Sequence, residues 1–225
     1  MRSELKNILF SLIATIWSIL FLVSCNKTAK KIEHVKIRPV VKIIVDSIAK
    51  YNVLTGSAVG YAGIKPVQWD RYEKLSKMAS LPELRELTYH KNLVVRCYAY
   101  YALASKKDTS SFTILLNHLH DTARVSTFFG CIKSYEPTGD FFLNTVKPFE
   151  TTDNGYKLSL KQKAIVDSVL LFDKHIKLYA RYWLFHDLKP QSQYYNRVKE
   201  IAIEGAMPVA IWTLAKYKNH NDINI

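Results

Sequence analysis

Apolar residues recur at three- and four-residue spacing through the middle of the chain. The first stripe comprises Leu81, Leu84 and Leu87, and the second comprises Val94, Val95, Tyr98, Ala99, Ala102 and Leu103. Such spacing is typical of amphipathic helices. The pattern returns further along, where Val125 aligns with Val95 at an offset of 30 residues. A period of that length predicts stacked helical hairpins.

Helix-start signals continue the same pattern on both sides of this stretch. Pro39 and Pro66 each precede an apolar run, and a proline is favoured in the first turn of a helix. Ser80 with Glu83, and Ser159 with Gln162, have the spacing of capping boxes. Only short polar breaks separate the predicted helices, so neighbouring helices should run antiparallel. The run at 123–134 is assigned to the second helix of the second pair.

A glycine-rich segment interrupts the helical pattern at residues 55–65. It holds three of the seven glycines, which indicates a loop with unusual backbone angles. No Gly-Lys-Ser or Gly-Lys-Thr follows it, so it does not match a phosphate-binding loop. We interpret it as a connector packed against the first hairpin. The alternative function, a cell-envelope enzyme, would place its site near residues 56–63.

The first 25 residues form the most specific signal in the chain. Arg2 and Lys6 precede an uncharged run from Ile8 to Val23, which ends in the tetrapeptide LVSC. This end resembles the lipobox of bacterial lipoproteins. The resemblance implies a signal peptide at 1–24, a diacylglyceryl thioether on Cys25 and acylation of its new amino group. An uncleaved membrane anchor is the alternative interpretation.

The segment after Cys25 is polar and basic and predicts a tether over residues 25–38, close to anionic head groups. No acidic run follows the cysteine, which favours a periplasm-facing position on the outer membrane. We assign residues 39–219 to one helical domain and residues 220–225 to a frayed tail. Several acyl chains would attach the protein more stably than one chain can.

The pair Val95-Arg96, together with the small residues from Ala99 to Leu103 and a preceding turn that ends in Asn92, resembles a HEAT repeat. The second unit departs from that pattern, since Ser126 replaces the expected arginine and Phe129 the usual alanine. The chain is also similar to small HEAT-like lipoproteins of the Bacteroidetes type. The resemblance implies an all-α fold, a short right-handed α-solenoid of about four hairpins that offers a concave face to partners.

Candidate catalytic and metal-binding groups are weak. His118 and His120 are two residues apart, whereas a helical zinc pair is spaced by four. No nucleophile elbow of the Gly-x-Ser-x-Gly kind occurs. Cys97 and Cys131 could pair outside the cytoplasm, or each could be a buried free thiol. We therefore predict no enzymatic activity, no metal and no cofactor.

Basic and aromatic residues suggest binding instead. The formal net charge is +13, and several of the fourteen tyrosines lie beside lysine or arginine. Tyrosine and arginine are enriched at binding hot spots. The inferred location argues against nucleic acid and favours an anionic or protein partner. The predicted contacts are Arg96, Tyr100, Arg124 and Arg181, and the alternative is a solvated basic surface with half-buried tyrosines.

Overall fold

Ten α-helices and a three-stranded sheet make up the part of the chain that the computed structural model describes, residues 35–147, 155–205 and 207–222. The elements are α1 Pro39–Tyr51, β1 Leu54–Val59, α2 Val67–Met78, α3 Leu81–Leu87, α4 Leu93–Ser105, α5 Ser111–His118, β2 Arg124–Gly130, β3 Ile132–Pro137, α6 Thr138–Val146, α7 Leu160–Phe172, α8 Ala180–Asp187, α9 Tyr195–Glu204 and α10 Pro208–Ala215. The predicted signal peptide and Cys25 lie outside the described residues.

The sheet shows that the prediction of an all-α solenoid over residues 39–219 is wrong, because the fold is mixed α/β. The predicted helix at 123–134 is a hairpin, in which Phe129 pairs with Ile132. Val125 and Thr127 are buried two residues apart, as a strand requires. Gly130 has a φ of 52°, a backbone conformation that glycine adopts without strain, and this allows the tight turn between β2 and β3.

The glycine-rich segment also contributes to the sheet. β1 runs parallel to β2, with Leu54 opposite Thr127 and Thr55 opposite Phe128, and the sheet order is β1-β2-β3. Beyond β1 the chain turns through Gly60 and Gly63, both at positive φ, and Ile64 then pairs back with Val59. The segment interpreted as a connector is therefore a strand followed by a tight turn.

Helix α4 is the centre of the fold. Nine of its thirteen residues are buried, so it is covered on almost every side. Helices α1, α2, α3, α5 and α6 contact it, as do strands β1 and β2. Small residues such as Ala99 and Ala102 let these neighbours approach closely, while Tyr98 and Tyr100 fill the space between them.

Local start signals predicted several helices correctly. Both capping boxes are present, Ser80 with Glu83 at α3 and Ser159 with Gln162 at α7. Asn92 accepts a hydrogen bond from the backbone N–H of Val95 at the start of α4. Among the residues that the structure describes, no helix combines the length and the apolar character needed to cross a bilayer.

Helices α7 to α10 follow the sheet and share one hydrophobic core with it. Asp140 in α6 connects the two parts, because its carboxylate accepts hydrogen bonds from the backbone N–H groups of Tyr179 (2.9 Å) and Ala180 (2.8 Å) at the start of α8. The segment expected to fray begins with a 3-10 turn at His220–Asp222. There the Asp222 carboxylate accepts a hydrogen bond from Tyr195 Oη at 2.9 Å.

Candidate binding cleft

A cleft of about 350 Å³ opens beside the sheet, between β1, β2 and β3 on one side and helices α2, α4 and α6 on the other. Five aromatic rings dominate its lining, and five polar side chains add hydrogen-bonding groups. We call it the aromatic cleft and define it by Trp69, Tyr98, Tyr101, Phe129 and Phe141 with Thr55, Glu136 and Asn144.

Tyr98 attaches the central helix to the strand at the cleft. Its hydroxyl accepts a hydrogen bond from the backbone N–H of Thr55 at 2.9 Å and donates to the carbonyl of Thr55 at 3.1 Å. Burial raises the pKa of Tyr98 to about 12, against which the hydrogen bonds to Thr55 act. The phenol therefore stays neutral and can act as donor and acceptor at once.

A packed set of rings orients the aromatic wall. The Trp69 ring lies 4.6 Å from that of Tyr72 and 6.0 Å from that of Tyr101. Tyr72 in turn contacts Tyr98 and Tyr101 at 5.1 and 5.2 Å. Burial also raises the pKa of Tyr101. These rings hold one another in place, so the wall is rigid before any ligand arrives.

The cleft is kept open on its strand side by a glycine. A β-carbon on Gly56 would lie 2.9 Å from Cδ1 of Phe129, closer than such contacts occur. Glycine here lets the Phe129 ring lie against the backbone of β1 across the sheet. A side chain at this position would displace that ring.

Polar groups are found on the side formed by β3 and α6. Half-buried Glu136 lines the cleft from β3, and half-buried Asn144 lines it from α6. The side-chain amide of Asn144 has no hydrogen-bond partner among the described residues, so its donor and acceptor are available to a ligand. The arrangement can stack a flat group on the rings and bond its polar edge.

The polar chemistry of the lining depends on a few side chains. Its side chains include one carboxylate, hydroxyl groups and an amide, and neither a histidine nor a cysteine is among them. Within the described ranges, no three His, Cys, Asp or Glu side chains group closely enough to hold a metal ion. Stacking and hydrogen bonding are the interactions that this lining supplies.

The predicted contact residues lie elsewhere, and Tyr100 is the clearest case. Its side chain is 0% exposed, stacks on Phe142 with ring centroids 4.0 Å apart and donates a hydrogen bond to the carbonyl of Ser111. Burial raises the pKa of Tyr100 well above its ordinary value. A partner cannot reach this residue without opening the core.

Arg96 and Arg124 each have an internal partner. Nη1 of Arg96 lies 2.5 Å from Oδ2 of Asp121, and its side chain is mostly buried. Arg124 is exposed at the start of β2 and donates to the carbonyl of Tyr135 across the hairpin. The predicted concave face, on which these residues would lie together, is not formed. The segment 123–134, predicted as the second helix of the second pair, belongs to the β2–β3 hairpin instead.

Arg181 stabilises the end of a helix. Its guanidinium donates to the carbonyls of Leu170 and Asp173, while Nε of Arg197 donates to the carbonyl of Leu171. These carbonyls lie at the carboxyl end of α7, where a helix lacks its own donors and favours cations. Burial, followed by the nearby Arg197, lowers the pKa of Arg181.

The two cysteines among the described residues are both free thiols, Cys97 buried in α4 and Cys131 exposed in the turn of the hairpin. This agrees with the interpretation of Cys97 as a small buried hydrophobe. Burial raises the pKa of Cys97 well above its ordinary value, so its thiol is unreactive.

Residue patterns did not identify the cleft residues Trp69, Tyr101 and Asn144, because helices distant in sequence contribute them. The available signal was the glycine cluster, next to which the alternative enzyme site was placed at residues 56–63. Gly56 and Ser57 do line the cleft. No family model matches this chain, and no curated protein and no solved structure is similar to it.

Proposed function

We propose that this chain is a lipid-anchored binding protein of the cell envelope, which holds a small ligand in the aromatic cleft without a chemical step. The observation that carries the proposal is the cleft itself. Its volume of about 350 Å³ falls in the range of small-molecule sites, and it combines aromatic walls with a few convergent polar groups.

The lining selects a class of ligand. A flat, weakly polar face fits between the rings, and an edge with both a donor and an acceptor fits the amide of Asn144. Amides and amino sugars have both features. This cleft takes the place of the concave solenoid face as the site of binding.

The membrane attachment is proposed from the leader alone. The lipobox-like end at Cys25 supports lipidation, and the absence of an acidic run after it supports a periplasm-facing position. A Cys25→Ser change should abolish incorporation of labelled palmitate and leave the leader uncleaved. Unchanged labelling would refute the anchor and leave the cleft proposal standing.

Ligand-observed NMR tests the cleft on the full chain in detergent. The probes are benzamide and N-acetylglucosamine, measured by saturation transfer. Asn144→Leu removes the free amide and should abolish the signal of the probe that binds. Asn196→Leu, a matched change at an exposed helical position, should preserve it. If neither probe gives a signal that depends on Asn144, the proposal fails.

An envelope enzyme at the same cleft is the second candidate, because Gly56, Ser57 and Glu136 all line it. It differs from the first in the effect of substitutions. Ser57→Ala or Glu136→Gln would then abolish turnover of p-nitrophenyl esters or glycosides and preserve probe binding. A wild-type chain without turnover of either substrate class argues against this candidate.

A further inference from the structure

Large aromatic side chains are exposed on the last helices of the chain. Trp183 in α8 is 56% exposed, and Trp212 in α10 is 78% exposed. The opposite sides of the two helices are buried through Phe185 and Leu214, so the core does not need these tryptophans. Large aromatic side chains that are exposed together are typical of contact sites.

Ring contacts and a hydrogen bond connect these residues into one surface. Tyr182 and Trp183 have ring centroids 5.4 Å apart, and Trp183 and His186 have centroids 6.4 Å apart. Lys216 donates from Nζ to the carbonyl of His186 at 3.1 Å. Trp212 lies one helical turn before Lys216, on the exposed side of the same helix. We call these five residues the aromatic face.

The surroundings of the aromatic face are basic. Residues 173–189 and 207–219 contain four exposed lysines, Lys177, Lys189, Lys216 and Lys218, against Asp173 and Asp187. Two further cations already bond to protein groups, Lys174 to Glu200 and Arg181 to helix carbonyls. Tryptophan and tyrosine insert their rings at the level of lipid head groups, and lysines beside them attract anionic lipids. Aromatic rings and cations together match the chemistry of a membrane surface.

We propose that the aromatic face docks on the head-group surface of an anionic bilayer. This contact is separate from ligand binding in the cleft, to which the aromatic face contributes no residue. It would be a second attachment beside the acyl chains and would hold one side of the protein against the membrane. Lipid-anchored proteins gain stable and oriented binding from such a second contact.

Tryptophan fluorescence in vesicles tests this docking on the full chain. Three variants each keep one tryptophan, Trp69, Trp183 or Trp212, and carry phenylalanine at the other positions and at Trp17. They are reconstituted in brominated phosphatidylcholine with or without phosphatidylglycerol. Brominated acyl chains should quench Trp183 and Trp212 at least about twofold more than Trp69 when the anionic lipid is present.

Equal quenching of the three tryptophans would overturn the proposal. Shielding of Trp183 and Trp212 without quenching, together with dimers in sedimentation, would also overturn it and assign the aromatic face to a second copy of the chain. Trp69 is the appropriate reference because it is half-buried at the aromatic cleft, in contact with Tyr72.

A charge reversal tests the electrostatic part. Lys216→Glu should lower the ratio of docked to undocked chains at least about fivefold, the factor expected for one lysine near an anionic surface. Lys77→Glu is the matched control, since Lys77 is also exposed at the end of a helix, and it should change nothing. Lys216→Gln adds no negative charge and should give a smaller effect in the same direction. Equal effects of Lys216→Glu and Lys77→Glu would refute the electrostatic contact.

Discussion

Helix α4 in the N-terminal region, residues 35–147, and helices α8 and α10 in the C-terminal region, residues 155–222, place their largest aromatic side chains differently. In the first, Tyr98 and Tyr100 are buried in the central helix and bonded to backbone groups. In the second, Trp183 and Trp212 are mostly exposed to solvent. The two tyrosines of α4 therefore support the fold, whereas the two tryptophans of α8 and α10 are available for contact.

The difference follows from how many elements surround each helix. Helix α4 is contacted by five helices and two strands, so nearly every side chain on it meets protein. Helices α8 and α10 pack mainly on each other and on α7 and α9, so each keeps an exposed side. Aromatic residues on that exposed side are not required for stability, and substitutions should separate the two roles.

The largest expected effect comes from Tyr100→Ala. Removing a fully buried ring that stacks on Phe142 should lower the free energy of unfolding by about 3–5 kcal/mol, because a cavity is left and packing is lost. Trp212→Ala, the exposed counterpart, should change it by about 0.5 kcal/mol or less. Urea denaturation measures both. Equal effects would contradict the comparison.

Tyr98→Phe should cost about 1–3 kcal/mol, since the backbone N–H of Thr55 loses its acceptor inside the protein. Strand β1 would loosen at the cleft, and probe binding should weaken with it. Tyr89→Phe is the control, because the Tyr89 hydroxyl bonds only to Asn117 at the surface. A shift in the urea midpoint no larger than that of the control would show that Tyr98 does not fasten the strand.

Asp140→Ala tests the connection between the two regions. It removes the acceptors of Tyr179 and Ala180 and should cost about 1 kcal/mol, as the loss of a helix cap does. Burial raises the pKa of Asp140, because removing the carboxylate from water offsets part of the stabilisation that its charge gives the helix start. Hydrogen exchange at these two amides should accelerate, whereas Asp187→Ala, at an exposed site in α8, should not affect it. Unchanged exchange would refute this cap.

The smallest effect on stability is expected from lowering the pH. The guanidinium of Arg38 beside Glu83 lowers the pKa of Glu83 from 4.5 to about 2 in the folded chain. The ion pair therefore stabilises the folded state above about pH 4.5 and loses this contribution as the pH falls through about 2. Since Arg38 is half exposed, the loss should be about 0.5–1 kcal/mol. The midpoint of urea denaturation, measured from about pH 6 to about pH 2, gives this loss. The midpoint of Glu83→Gln should fall less steeply with pH than that of the wild type. Parallel slopes would contradict this assignment.

Local patterns predicted the helices whose signals lie within a few residues. The capping boxes at Ser80 and Ser159 are confirmed, because one turn of backbone satisfies each of them. The hairpin was missed because Val125, Phe128, Phe129 and Ile132 also have helical spacing. Gly130 and the alternation of Val125 with Thr127 favoured a strand and a turn, but the expected 30-residue repeat was given more weight.

The cleft could not be predicted from the sequence. Tyr98 and Thr55 are 43 residues apart, and nothing in either segment indicates that they meet. Likewise, the expected repeat placed Tyr100 on a concave face as a contact, whereas in the fold its ring stacks on Phe142 from another helix. Exposure is a property of the packed chain, so patterns of charge alone do not show which of these residues a partner can reach.

The sequence by itself determined the helix starts, the basic composition and the expectation of a lipid-bearing cysteine, since each depends on neighbouring residues only. The tertiary structure decided that a sheet forms, where the cleft lies and which aromatic rings meet water. These outcomes depend on pairing between distant segments, and backbone hydrogen bonds between strands form only when the packed helices bring the strands together.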